Sequence, residues 1–329
     1  MPILTRRAFT ASSVAAAGFM TSGFSPTAEK ITLGLLATGT ANWEIAAMRS
    51  LGLDESNNIE IEVRGGADSK SGKVALQGGA VDAILSDYIW VSIQRHAGSD
   101  LTFVPHSLSV GGVMVAPDGP VSTLEDLAGK TIGVAGGPVD KSWVILQAYY
   151  KAKTGENLAD SANLKFGSPP LINELLGNGE VQASLNFWHW NARAKAAGNT
   201  ELVSVKNMLT ELGVSRSPPL LGWVFSEQYE RANPESIKRF LDASYATKAK
   251  LLTDDSVWDA IRSDMRNPDD ALFAEYKAGY RAGIVTSYGA EDVDAAAQSF
   301  RIMAEIGGSK LVGDNPDLAE GTFWTGYDI

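Results

Sequence analysis

Six of the eight tryptophans, Trp43, Trp90, Trp143, Trp188, Trp190 and Trp223, fall in or beside loops beyond strand patterns, or on a crossover strand. Glu44, Asp68, Asp87 and Asp140 lie around the same loops, against Lys141 and Arg193. Aromatic walls bind flat rings by stacking and hold cations at the ring face, each contact contributing about 0.5–2 kcal/mol. Together with carboxylates they suit a neutral heteroaromatic or a cationic amine better than a small oxyanion. Two other readings stay open. Helix starts after Thr40, Gly66, Ser86, Pro138 and Asn186 offer backbone N–H groups to an anion, and Asp87 and Asp140 fit equally well as caps of the helices that follow them. The candidate ligand contacts are Thr38, Asn42, Trp43, Asp87, Tyr88, Gly137, Pro138, Asp140, Asn186, Trp188, His189 and Trp223. For Trp90, Trp143 and Trp190 the residues alone do not separate pocket from core.

Catalytic and metal chemistry find little support. The chain has no cysteine, so it offers no thiol nucleophile, thiolate metal site or disulfide. Its three histidines, His96, His106 and His189, are dispersed. His96 beside Arg95 reads as solvated, His106 at a strand end as structural, and His189 in an aromatic loop as a possible ligand contact. Gly129-Lys130-Thr131 is not a phosphate loop, because Leu124 stands where the upstream glycine is required. No Gly-x-Ser-x-Gly elbow or His-Glu-x-x-His helix occurs. A hard cation needs about six oxygen ligands, and no carboxylate-rich loop supplies them. The expectation is binding without conversion, with no cofactor and no metal; an enzyme on the same fold is the alternative, and a receptor for a small oxyanion, a sulfonate or a metal chelate is a further one.

The elements that must position these residues include an internal repeat. Leu76-Gln77-Gly78-Gly79-Ala80-Val81-Asp82-Ala83-Ile84-Leu85-Ser86-Asp87-Tyr88-Ile89-Trp90 aligns with the stretch one hundred residues later, Leu176-Gly177-Asn178-Gly179-Glu180-Val181-Gln182-Ala183-Ser184-Leu185-Asn186-Phe187-Trp188-His189-Trp190. Each copy ends a helix, turns on glycine, runs a short apolar strand and stops in an aromatic loop. One α/β unit is used twice, and such loops are where open α/β sheets bind ligands. Strand patterns at 31–36, 59–64, 101–106, 112–116, 131–135, 164–166 and 220–225 alternate with helices, which predicts parallel sheets with crossover helices. From Pro234 onward the pattern is helical, ending in an extended tail packed on the first lobe.

Thr5-Arg6-Arg7-Ala8-Phe9-Thr10 followed by a mildly apolar run predicts a twin-arginine export signal over residues 1–28. The run falls short of the roughly 20 apolar residues that cross a bilayer. The expected product is soluble, periplasmic and without a lipid anchor. Net charge is −11, and an acidic chain without a basic stripe is a poor nucleic-acid binder. The remaining residues divide into a discontinuous first lobe, 29–116 and 220–329, and a second lobe, 117–219, with crossovers at Pro117-Asp118-Gly119-Pro120 and at Ser217-Pro218-Pro219. Hinge closure is expected about 115–118 and 217–221.

Ser122-Thr123-Leu124-Glu125-Asp126-Leu127-Ala128-Gly129-Lys130-Thr131-Ile132-Gly133-Val134, with Gly79-Ala80-Val81-Asp82 before it, resembles the solute-binding proteins of bacterial ABC importers. The nearest group serves nitrate, sulfonates, taurine and thiamine-precursor pyrimidines, and the resemblance runs over about 31–252. It implies a two-lobe α/β periplasmic-binding-protein fold of type II with two crossovers, closing by hinge motion. It also implies a monomer that delivers a small molecule to an ABC permease in the inner membrane. Pyrimidine-synthesising relatives depend on a cysteine-containing segment that this chain lacks.

Overall fold

A computed structural model describes residues 28–329; apart from Ala28, the expected export signal lies outside them. Ten strands form two sheets: β1 Glu29–Leu36, β2 Ile59–Gly66, β3 Ala83–Ser86, β4 Leu101–Ser107, β5 Gly112–Val115, β6 Thr131–Ala135, β7 Asn163–Gly167, β8 Ala183–Asn186, β9 Thr200–Ser204 and β10 Leu221–Ser226. The strand orders are β2-β1-β3-β10-β4 and β7-β6-β8-β5-β9. Position by position the second order repeats the first, so β1 corresponds to β6 and β3 to β8.

The sequence repeat is this correspondence. Helices Ser69–Gln77 and Pro169–Gly177 lead into β3 and β8, and helices Tyr88–His96 and Trp188–Ala196 lead out. Gly79 and Gly179 turn the chain at φ 67° and 72°, a left-handed conformation that glycine adopts without steric cost. Three residues on, Asp82 Oδ2 accepts from Thr32 N at 2.7 Å and Gln182 Oε1 from Thr131 N at 3.0 Å, tying each new strand to its sheet in the same way.

Two expectations are corrected. The sheets are mixed, because β10 runs antiparallel to β3 and β4, and β5 antiparallel to β8 and β9. For the same reason β5 belongs to the second sheet, so the first crossover is 108–111, ahead of the proline–glycine turn at 117–120. A turn signal marks a reversal of direction; it does not say which sheet the strand before it has joined. The return to β10 does follow Ser217-Pro218-Pro219.

The first crossover is held by backbone bonds from Leu108 N to Gly283 O at 2.8 Å and from Val205 N to Gly111 O at 2.9 Å. A Cβ on Gly111 would meet the Asn186 carbonyl oxygen, lie 2.7 Å from its carbon and 3.1 Å from Phe187 Cα. Both neighbours are backbone and cannot rotate away. Gly111→Ala should therefore destabilise the fold by about 1–3 kcal/mol, read from the denaturation midpoint; an unchanged midpoint would mean that the crossover relaxes freely.

Helices also bridge the lobes. Asp270–Arg281 packs on Trp188–Ala196, and Ala290–Gly307 on Lys141–Thr154. Tyr88 and Phe103 of the first lobe, Trp143, Ile145 and Val205 of the second, and Phe300 and Met303 of the C-terminal helix share one buried apolar cluster. The tail lies on the first lobe as expected, with Trp324 N donating to Phe103 O at 2.9 Å.

Candidate functional site

Four strand-to-helix loops meet between the lobes, at the carboxyl ends of β1, β3, β6 and β8. Two cross-lobe approaches bring them together. Trp43, in the first turn after β1, meets Trp188, in the first turn after β8, edge to face at 6.0 Å. Lys141, at the start of the helix after β6, acts electrostatically on Asp87 at the end of β3. Since β1 corresponds to β6 and β3 to β8, these approaches are the two halves of one pseudo-twofold arrangement.

Asp87 caps its helix, its Oδ1 accepting from Trp90 N at 2.9 Å, while its Oδ2 lies 3.8 Å from Lys73 Nζ. Burial opposes the charge, but Lys141, Lys73 and the N–H bonds outweigh it and hold the carboxyl below its ordinary range. Lys73 also stands 4.8 Å from the centre of the Trp90 ring, and burial lowers its ammonium despite Asp87. Asp140 caps helix Lys141–Thr154 through Ser142 N at 2.9 Å. There burial wins, and the carboxyl is pushed up in spite of Lys141. Both aspartates are thus helix caps, and lysines counter their charge.

The two remaining helix starts differ. Thr40 and Phe187, the residues before Ala41–Ser50 and Trp188–Ala196, make no side-chain cap bond. Phenylalanine stands where the first copy of the repeat has Asp87 and has no acceptor to offer. First-turn N–H groups on the Trp43–Trp188 side are therefore free of side-chain acceptors. Trp188 is half-buried and also packs against Tyr280 at 6.2 Å and His189 at 5.7 Å. Behind it lies a cavity of about 330 Å³, lined by Trp188, Asn191, the crossover residues Leu108 to Val110, and Gly279.

Of the other expected contacts, Thr38 and Pro138 are exposed and Gly137 half-buried, on the β1 and β6 loops. Asn42 donates to the Leu36 and Gly39 carbonyls, both at 2.8 Å, and so staples its own loop. His189 is half-buried in this region, and burial, then the Arg193 charge, depress its imidazole to about 4. It is neutral at pH 7.

Three expected contacts are core residues instead. Tyr88 is fully buried, its hydroxyl 2.6 Å from Ser299 Oγ, because its helix turns that face toward Ala290–Gly307. Trp223 is fully buried on β10, an interior strand between β3 and β4, against Phe240 and His106, with its indole N–H on Ser244 Oγ. Asn186 is buried, donating to Pro169 O and accepting from Phe187 N, both at 2.9 Å. Glu44 also leaves the cleft: it is fully buried beneath helix Ala41–Ser50, paired with Lys248. Trp143 is core, whereas Trp90 and Trp190 are half-buried beside Lys73 and Arg193.

Sequence reasoning missed Lys73, Tyr276 and Tyr280. The two tyrosines were detectable in principle, since Phe273, Tyr276 and Tyr280 share one helical face. Lys73 carried no local signal; only the fold brings it beside Asp87. Among the described residues no group of three His, Cys, Asp or Glu side chains is placed to hold a metal ion, and no helix is long and apolar enough to cross a membrane.

A family profile described as NMT1/THI5 like matches residues 45–253. Among solved structures, the periplasmic aliphatic sulphonate binding protein from Escherichia coli is similar at 17% identity, covering 90% of this chain and 97% of its own, with a TM-score of 0.71. The alkanesulfonate-binding protein from Xanthomonas axonopodis pv. citri, bound to MOPS, is similar at 17% identity over 90% and 98%, with a TM-score of 0.67. The desulfurization enzyme DSZB is similar at 16% identity over 89% and 97%, with a TM-score of 0.59. At these identities the likeness establishes the two-lobe fold. A search of curated sequences found no match.

Proposed function

The chain belongs to the NMT1/THI5-like family, and from that premise we propose that it is an exported solute receptor that holds one small organic molecule between its lobes and presents it to an ABC-type permease. The observation that carries this reading is the paired set of loops, with aromatic side chains and balanced charge, in a cleft where no nucleophile–base–orienter set is assembled among the described residues. Binding proteins and an enzyme share this architecture, so the choice rests on the site and not on the fold.

The charge balance refines the ligand class. Asp87 and Asp140 already serve as caps beside lysines, so neither of these carboxylates is free to pair with a cationic amine. A flat, neutral heteroaromatic that stacks on Trp188 is the reading favoured here. A second reading, an organic oxyanion, draws support from the uncapped helix starts beside Trp43 and Trp188 and from the sulfonate-binding neighbours. Closure would turn on residues 108–111 and 212–220, with the bridging helices sliding against their partners. Export by the twin-arginine route to the periplasm, as a monomer, completes the proposal.

Mass spectrometry of small molecules released from freshly exported protein tests the ligand class and shows whether the molecule is returned unaltered; recovery of a converted product would overturn the receptor reading. With that ligand in calorimetry, Trp188→Ala should weaken binding by about 1–3 kcal/mol through lost stacking and burial. Because Trp188 also packs on Trp43 and Tyr280, the ligand-free protein should lose a similar amount of stability. Unchanged affinity would remove Trp188 from the pocket.

A further inference from the structure

Helix Asp270–Arg281 touches both tryptophans that meet across the cleft. Tyr276 packs against Trp43 with ring centres 4.8 Å apart, and Tyr280 meets Trp188 at 6.2 Å. Both tyrosines are buried. The Tyr280 hydroxyl donates to Glu44 at 2.8 Å, and the Arg193 guanidinium lies 5.4 Å from the centre of the Tyr276 ring. Between the two tyrosines stands Gly279, which costs helix stability relative to alanine and so asks for a reason.

The reason is a close approach. Among the described residues, the atoms a Cβ at 279 would meet are Trp188 Cε3, at 2.9 Å, and Cζ3, at 3.1 Å. Any side chain there must therefore push the half-buried indole away. The same residue is tied to the hinge. Ser109 Oγ donates to the Gly279 carbonyl at 2.8 Å, and Leu108 N donates to Gly283 O at 2.8 Å, so the first crossover holds the end of this helix. The surface that Trp188 rests on is thus anchored where rotation of the lobes displaces atoms least.

We propose that Gly279 is a positioning residue for Trp188: its missing side chain, held in place through Ser109, sets how far the indole projects toward the cleft. Only the consequence for binding rests on the reading of Trp188 as the stacking wall; the placement of the ring is tested on the free protein. The exported chain is labelled with 5-fluorotryptophan, and the Trp188 and Trp43 fluorine resonances are identified by their loss in Trp188→Phe and Trp43→Phe. A neutral gadolinium chelate in solution reads the exposure of each fluorine. Gly279→Ala should move the Trp188 resonance and raise its gadolinium relaxation, and should move Trp43 through its edge contact, while Trp324, which packs on Phe225, stays put. In the Trp188→Phe background the same alanine should leave Trp43 unmoved, because the benzo atoms it meets are gone. Ser109→Ala, which frees the helix end without adding an atom, should also shift or broaden the Trp188 resonance. With the molecule recovered from the exported protein, Gly279→Ala should weaken binding about tenfold, and no further in the Trp188→Ala background. A displaced ring with unchanged affinity would support the placement and remove Trp188 from the binding surface. A Trp188 resonance that stays put in Gly279→Ala, or in Ser109→Ala where the alanine at 279 prevents folding, would overturn the proposal. So would a Trp43 shift that persists without Trp188, since the helix itself would then have moved.

Discussion

Lys248→Met is expected to destabilise the protein by about 3–5 kcal/mol, because it leaves a carboxylate buried without its counter-charge. Glu44 is fully buried and Lys248 nearly so. Lys248 Nζ lies 2.8 Å from both Glu44 and Ser244 Oγ, and Ser244 Oγ donates to Glu44 at 2.5 Å. Tyr280 donates to the other carboxylate oxygen at 2.8 Å. Burial works against both charges; for Glu44, Lys248 and His106 more than offset it and hold the carboxyl below its usual range. The network ties helix Ala41–Ser50 to Pro234–Thr253 and, through Tyr280, to Asp270–Arg281, the helix that packs on the second lobe. Removing the ammonium alone should hurt more than removing both charges. The pair Glu44→Gln with Lys248→Met should therefore recover much of the loss, since replacing a buried ion pair by neutral groups is often close to neutral. Guanidinium denaturation of the single and double variants measures this; a single-variant loss below about 1 kcal/mol would mean that water reaches the site and screens it.

Acid should destabilise the protein well above the range where carboxylates titrate. His106 is buried beside Trp223, and burial, then the Lys248 charge, lower its imidazole to about 3 although Glu44 opposes this. His189 is lowered to about 4. In the unfolded chain both take up a proton near pH 6.5, while the folded protein keeps them neutral. The unfolded state then binds more protons between about 6.5 and 4, so this stabilisation is fully present above pH 6.5 and is lost as pH falls. Each histidine adds a slope approaching 1.4 kcal/mol per pH unit, or roughly 2.7 for the two. Asp140, whose carboxyl is pushed up, works in the opposite direction over the lower part of this window. Denaturation midpoints at pH 6.5, 5.5 and 4.5 should fall steadily, and His106→Gln should flatten the curve by about half. A wild-type midpoint that does not move over this range would mean that the folded protein protonates both rings.

The repeat carried more structural information than any single motif, and the reason is physical. A glycine in a left-handed turn, a buried four-residue strand and a helix start recur because each lobe solves the same packing problem, and side-chain type reports such local geometry directly. Trp188 was legible as a cleft residue on those grounds. Its counterpart Tyr88 was not separable from it, since both follow a strand and open a helix. What differs is the neighbour each meets: Tyr88 lies under Ala290–Gly307, more than two hundred residues away, and Trp188 beside Trp43. The aspartates failed in a related way. Asp87 and Asp140 looked equally suited to cap or to ligand, and Lys73, which sits 3.8 Å from Asp87, announces its role by no pattern of its own.

By itself the sequence determined the alternation of strands and helices, the doubling of one α/β unit, the resemblance to solute-binding proteins and the absence of thiol chemistry, because composition and short-range periodicity encode all of these. Only the tertiary structure decided that β5 joins the second sheet, that Glu44 faces Lys248 within one lobe rather than the cleft, and that Tyr88, Asn186 and Trp223 are core. Strand partners and charge partners are chosen by contacts between segments far apart in the chain, and the free energy of burying a side chain depends on what covers it, which no local pattern records.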